Sequence, residues 1–142
     1  MGETTKKPAP GQTQGAGTGP VFDPQTYADE LRDVRENRRI GTRIWFENDR
    51  VQVWDLSLQP GERLPFHCHD QDYFWTVTDP GRVLQRYDDG TSRVVDVEVG
   101  HTNFLTYAGD QCTVHDLENV GDTFVRCVTV VLKDPGAVST ID

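Results

Sequence analysis

Three of the four histidines in this 142-residue chain fall into one pattern. His67-Cys68-His69 follows a turn at Pro60-Gly61-Glu62, and His115 stands further on in the run His115-Asp-Leu-Glu-Asn119. Side chains two apart on a β-strand point the same way, so one strand can present His67 and His69 together while Cys68 faces away. A third imidazole from a distant strand would close a metal site. Neutral imidazole suits zinc, copper, iron and nickel, so the donor set leaves the metal open. The competing reading is of ordinary strand histidines satisfied by nearby carboxylates, for which Asp70, Asp72, Asp116 and Glu118 are available.

The elements that must position these residues are legible in outline. Residues 1–20 are rich in glycine and proline and poor in apolar side chains, the composition of a disordered tail. Asp23-Pro24 supplies an N-cap followed by proline at the first helical position, and Tyr27, Leu31 and Val34 follow at helical spacing up to Gly41. The segment 21–41 therefore reads as one helix of about three to four turns. From Thr42 onward short runs of valine, threonine and aromatics alternate with turn signals about every ten residues, the rhythm of an antiparallel sandwich or barrel. Eight strands are expected, over 42–48, 51–59, 65–77, 82–88, 92–99, 102–107, 111–118 and 123–132. They make a small jelly roll over 42–135, with 136–142 as a tail.

A net charge of −9 disfavours nucleic acid and anionic membrane as partners, and no apolar stretch is long enough to span a bilayer. A small molecule is the expected partner. Arg32, Arg35, Arg38, Arg39 and Arg43 alternate with acidic residues and read as an ion-paired, solvated face. Cys68, Cys112 and Cys127 have no zinc-ribbon or redox spacing, and the N-terminus has no apolar run resembling a signal peptide; both point to the cytoplasm.

Gly61, His67 and His69 are in register with the first motif of the cupin superfamily, Gly81 or its neighbour Pro80 stands near that motif's closing glycine, and Gly100, His115 and Asn119 resemble the second motif. The resemblance covers roughly 43–132. It departs in three places: Thr106-Tyr107-Ala108 stands where P-x-G is usual, the gap before His115 is longer by a few residues, and Tyr73 and Phe74 stand where the first motif carries a glutamate. What the resemblance implies is an all-β double-stranded β-helix, or jelly-roll barrel, with one short N-terminal helix. It implies one divalent metal ion on His67, His69 and His115, like the three-histidine members that bind mononuclear iron. Fe(II) is favoured, with Zn, Ni or Mn as alternatives, and Asp72 or Tyr73 as a candidate fourth ligand. The expected activity is that of a non-haem Fe(II) dioxygenase on a small polar molecule. The alternatives are a redox-neutral lyase or isomerase, and a binding protein without chemistry. Similar small members pair as homodimers, for which Trp45, Phe46 and Trp54 are candidates.

Continuing the alternation from the histidines puts Gln71, Tyr73, Trp75 and Val77 inside the barrel and Phe66, Cys68 and Phe74 outside. Tyr73 is the candidate acid or hydrogen-bond donor. Tyr107, Gln85, Arg86 and Arg43 are candidate substrate contacts, the arginines because an inward guanidinium can clamp a carboxylate. His101, after the turn glycine, is a solvated turn residue or a proton shuttle.

Overall fold

The structure, a computed structural model, describes residues 17–133. Its ten strands are β1 (Gly17–Thr18), β2 (Arg43–Glu47), β3 (Val51–Leu58), β4 (Arg63–His69), β5 (Tyr73–Asp79), β6 (Gly81–Arg86), β7 (Ser92–Val97), β8 (Thr102–Leu105), β9 (Thr113–Asn119) and β10 (Val125–Leu132). They form two antiparallel five-stranded sheets, ordered β1-β7-β6-β9-β4 and β2-β3-β10-β5-β8. Alternating inward residues from both sheets make the interior. Leu56, Leu58, Leu64, Val77, Val83 and Val125 fill one end, and Ile40, Trp54, Tyr73 and Val131 form a second cluster. Among the described residues no helix is long and apolar enough to cross a membrane.

The outer face of the first sheet is covered by the segment before β2. Asp23 caps as its sequence suggests, accepting from the Gln25 amide with Pro24 behind it. The long helix does not form. A 3₁₀ turn at Pro24–Tyr27, a single α-helical turn α1 (Ala28–Leu31) and a 3₁₀ turn at Val34–Glu36 take its place. The cause lies in the sheet beneath: Asn37 lies extended beside edge strand β4, accepting from the Cys68 amide and donating its side-chain amide to the Phe66 carbonyl. A chain held extended at Asn37 cannot remain helical to Gly41. Phe22, Tyr27, Leu31 and Val34 instead pack on Phe66, Cys68 and Val114. Glu30 grips Arg63 through two hydrogen bonds of 2.8 Å, and Arg63 reaches the fully buried Asp116 at 2.7 Å.

Residues 17–20, which composition assigns to the tail, lie against β7, where the Gly19 amide donates to the Ser92 carbonyl. The rest of that tail, and the expected C-terminal tail 136–142, lie outside the described residues.

The single strand expected over 65–77 is two strands in different sheets. The chain turns at Asp70–Asp72, where the Asp72 carbonyl accepts from the Leu132 amide and its carboxylate from the Tyr107 amide. Gln71 is therefore an exposed turn residue rather than an interior one. Alternation resumes correctly in β5, with Tyr73 and Val77 buried and Phe74 outward on Phe104. Of the three aromatics considered for a dimer contact, Trp54 is core, while Trp45 and Phe46 are exposed on edge strand β2.

Candidate metal centre

The site is built on the ladder between β4 and β9, where His67 lies directly opposite His115 and His69 opposite Thr113. Leu64 pairs with Leu117, so β4 uses three steps where β9 uses two, and a β-bulge spans Leu64 to His67. The bulge lets Leu64 and His67 both face the interior although they are an odd number of residues apart. At the far end of the same ladder Gly61, with φ of 87°, makes the turn that the sequence marks. Its amide donates to the Asn119 carbonyl, and the buried Asn119 side chain donates to the Leu58 and Thr123 carbonyls. The glycine of the first motif and the asparagine of the second are thus bonded to each other.

The three imidazoles converge through their Nε2 atoms. His67 Nε2 and His69 Nε2 are 3.1 Å apart, and His69 Nε2 and His115 Nε2 are also 3.1 Å apart. His67 and His69 are 2% and 6% exposed, so these nitrogens meet away from bulk water. The opposite nitrogens are already spoken for. His67 Nδ1 is 2.8 Å from the Pro65 carbonyl, which can only accept, so the proton sits on Nδ1. His115 Nδ1 is 3.1 Å from Gln85 Oε1, and the Tyr87 hydroxyl donates to the same oxygen at 3.2 Å, which fixes that atom as an acceptor too. Nε2 of both rings therefore carries a lone pair. A proton on His69 Nε2 can serve only one of its two neighbours, and a cation serves all three nitrogens.

Two of the three donor spacings fit a metal, and all three ligand atoms lie within 4.8 Å of one another. Two ligands at right angles, with metal–nitrogen bonds of ~2.1 Å, stand ~3.0 Å apart, whereas tetrahedral ligands stand ~3.4 Å apart. Three nitrogens gathered in this way leave further coordination positions on the cavity side. Burial holds His67 neutral, with its pKa lowered to about 4. It holds His69 well below the usual value too, helped by the neighbouring His67 and His115. Neutral imidazole is the form that binds metal.

Aromatic rings brace the histidines. Tyr73 stacks on His69 with centroids 4.1 Å apart and planes 9° apart, and Tyr87 lies on His115 at 5.9 Å. Burial, then the neighbouring Tyr107 and Tyr87, raises the Tyr73 pKa well above that of a free phenol, so it remains a donor. Its hydroxyl is hydrogen-bonded with that of Tyr107, which in turn donates to Thr113 Oγ1 at 2.9 Å. The histidines and Tyr73 border a cavity of about 100 Å³ whose remaining wall mixes aliphatic side chains, among them Leu56, Val83, Val95, Val97 and Leu117, with polar ones such as Gln85, Arg93 and Asn103.

Of the sequence-derived candidates, His67, His69, His115, Tyr73 and Gln85 come together on this cavity. Tyr107 stands behind Tyr73 and does not line the cavity. Arg86 and Arg43 do not reach it. Gln85 points inward, so Arg86 next to it points outward, to Asp116 at 2.9 Å and Glu118 at 2.8 Å. Arg43, on the exposed edge strand, pairs with Asp55 at 3.1 Å. Asp72 is turned away, to the Tyr107 amide, and is not a fourth donor in this arrangement. His101 accepts at Nδ1 from the Glu98 amide within a turn, and Cys68 packs in the outer layer. Sequence reasoning passed over Tyr87, Asn103 and Arg93, all on the cavity wall. For Arg93 a signal existed: in Ser92-Arg-Val-Val-Asp-Val97, Arg93 shares a face with the buried Val95 and Val97.

No protein-family model matches the sequence, and no curated relative does either. Solved structures do match. A cupin domain from Bordetella pertussis Tohama I superposes with a TM-score of 0.57 at 22% identity, over 65% of this chain and 91% of that one. A protein with a double-stranded β-helix domain from Klebsiella pneumoniae gives 0.51 at 22% identity, over 80% and 90%. This chain has the cupin fold. A Cupin 2 conserved barrel domain protein from Salinispora arenicola, at 17% identity and a TM-score of 0.52, matches over 70% of this chain and 82% of that one. On this fold, three histidines form a cluster that could hold a metal ion.

Proposed function

We propose that this cupin is a mononuclear metalloenzyme in which His67, His69 and His115 hold one divalent cation, Fe(II) foremost, and that it oxidises a small polar molecule with dioxygen. The observation that carries the proposal is the convergence of three Nε2 atoms on the wall of a cavity to which no aspartate or glutamate among the described residues contributes. A ferrous ion held there would supply Lewis acidity and redox chemistry to whatever occupies the cavity. Three neutral ligands leave its charge uncompensated, which favours an anionic substrate.

The residues of the chain have distinct tasks in this scheme. Pro65 and Gln85 fix the proton on Nδ1 of His67 and His115 and so aim the Nε2 lone pairs. Tyr73 holds its stacked ring against His69 and keeps a phenol proton available beside the cavity. The aliphatic wall excludes water from the reacting molecule. The cavity is well below the roughly 300 to 1,000 Å³ of pockets for drug-sized ligands, so the substrate has few heavy atoms. The free thiols of Cys68, Cys112 and Cys127 suit a reducing cytoplasm.

The protonated Tyr73–Tyr107 pair favours a second reading, a lyase or isomerase on Zn, Ni or Mn in which a phenol moves a proton. Elemental analysis of protein purified without chelator, followed by oxygen-uptake assays over small acids, enolates and thiols, separates the two. Near-stoichiometric iron with iron-dependent oxygen uptake supports the oxygenase. Activity that survives replacement of iron by zinc under argon supports the second reading, and a site that takes up no metal overturns both.

A further inference from the structure

Arg93 stands on β7 directly opposite Gln85 on β6, and directly opposed residues of an antiparallel pair share a face. Gln85 faces the interior, where it holds His115, so Arg93 faces it as well, and both line the cavity with the three histidines. Tyr87 links them further, because its hydroxyl donates to Gln85 Oε1 at 3.2 Å and its phenol is hydrogen-bonded with Arg93. A guanidinium carries five donors, enough to hold a phenol and a carboxylate together.

The charge of the cavity wall depends on few groups. The tyrosines and the Cys127 thiol stay neutral, the thiol because burial pushes its pKa up to about 12, and His67 and His69 are neutral in the working range. No carboxylate among the described residues lines the cavity, and Arg93 is the arginine or lysine among them that does. The protein as a whole carries −9, so attraction of an anion to this place is a local property of the wall and not of the overall field.

We infer that Arg93 forms an anion subsite in the cavity, and that the molecule bound there is a small carboxylate held in the guanidinium fork beside the histidines. The inference rests on the metal-site reading for its second contact, since a cation on three neutral imidazoles adds positive charge that the same anion offsets. The fork selects planar oxyanions over neutral isosteres of equal size. About 100 Å³ limits the ligand to a short carbon chain.

Acetate and acetamide, nearly equal in shape and different in charge, are the probes. Cobalt(II)-loaded protein in carboxylate-free buffer is titrated with each while its visible spectrum is recorded, for the parent chain and for Arg93→Gln, Arg93→Lys and Arg82→Gln. Arg82 lies outside the cavity in an exposed pair with Asp96 and controls for loss of one charge. Arg93→Gln is expected to weaken acetate by roughly 10- to 100-fold and acetamide hardly at all, Arg93→Lys to weaken acetate less, and Arg82→Gln to leave both unchanged. Unchanged acetate affinity in an Arg93→Gln protein that still binds cobalt stoichiometrically would overturn the inference, as would equal affinity of the parent for acetate and acetamide. If the parent takes up no cobalt, the metal reading fails by itself, and the acetate-induced rise in melting temperature of metal-free protein decides: abolished by Arg93→Gln but not by Arg82→Gln, it upholds the subsite, and absent from the parent, it removes it.

Discussion

Gln85 accepts the Nδ1 proton of His115 across 3.1 Å, and this one hydrogen bond leaves the lone pair on the ring's other nitrogen, turned toward His69. Gln85→Leu keeps approximate bulk and removes the acceptor. Isothermal titration with zinc or cobalt is expected to show affinity falling by about 10- to 100-fold with one-to-one stoichiometry retained. Unaltered affinity would mean that packing against Tyr87 alone orients His115.

Direct loss of a ligand is more severe. His67→Ala, His69→Ala and His115→Ala each leave two nitrogens, and each is expected to abolish stoichiometric metal retention through gel filtration. In the parent chain, metal at 1,000 times its dissociation constant should stabilise the fold by about 4 kcal/mol, an increment that chelator removes. A melting temperature indifferent to metal and chelator would count against the site.

Acid should weaken the metal-free fold through the histidines. His67 has a pKa of about 4 in the folded chain and about 6.5 once unfolded, so between those values the unfolded state holds a proton that the folded state lacks. Stability from this residue is therefore complete above about pH 6.5, falls as pH drops, and is gone below about pH 4. The loss is on the order of 3 kcal/mol, and lowering of the His69 pKa acts in the same direction. Denaturant melts of chelator-treated protein across this range, compared with the His67→Ala variant, provide the check: a parent whose pH slope matches that of the variant would refute it.

Asp116 is fully buried between Arg63 and Arg86 and also accepts from the Arg86 amide. Removing it strands two guanidiniums in a partly buried layer, and Asp116→Ala is expected to cost about 3 kcal/mol in urea melts. Because Asp116 follows His115 on the opposite face of β9, metal stoichiometry in the folded variant should persist. A variant that kept its stability would show that Glu30 and Glu118 suffice for both arginines.

Tyr73→Phe retains the ring stacked on His69 and removes the phenol. Stability is expected to fall by about 1 kcal/mol, the worth of one hydrogen bond. Turnover of whatever substrate the oxygen-uptake survey yields should fall by roughly 100-fold with little change in KM, as for loss of a proton donor. A drop in KM-governed binding alone would assign Tyr73 to packing.

The histidine triad was legible because period-two alternation is a short-range rule and His67 and His69 obey it within one strand. The partnership with His115 required only that its strand pair with β4. What escaped sequence reading depends on longer-range geometry. Alternation continues unbroken in phase through Tyr73 and Trp75, so nothing in the pattern of side chains exposes the change of sheet at Asp70–Asp72, where backbone bonds to β10 and to Tyr107 make the turn. The helix at 21–41 has helical spacing of its apolar residues, yet edge pairing at Asn37 and the grip of Glu30 on Arg63 shape that segment instead. Arg86 and Gln85 are neighbours in one strand and cannot both face the cavity. The cationic residue on the wall is Arg93, one strand further on, where the Arg-x-Val-x-Val alternation carried the information.

The extra residue in β4 has a meaning for insertions and deletions. A chain lacking Pro65 would place Leu64 and His67 two steps apart, the regular interval, and both would still face the interior with the ladder made uniform. Losing one residue from a strand ordinarily turns everything beyond it inside out. Here the strand carries a spare, and the spare is not needed for aim. What it brings is a carbonyl beneath His67 Nδ1, so a shortened relative would show the same three rings to the interior and lose its hold on which nitrogen of the first one bears the proton.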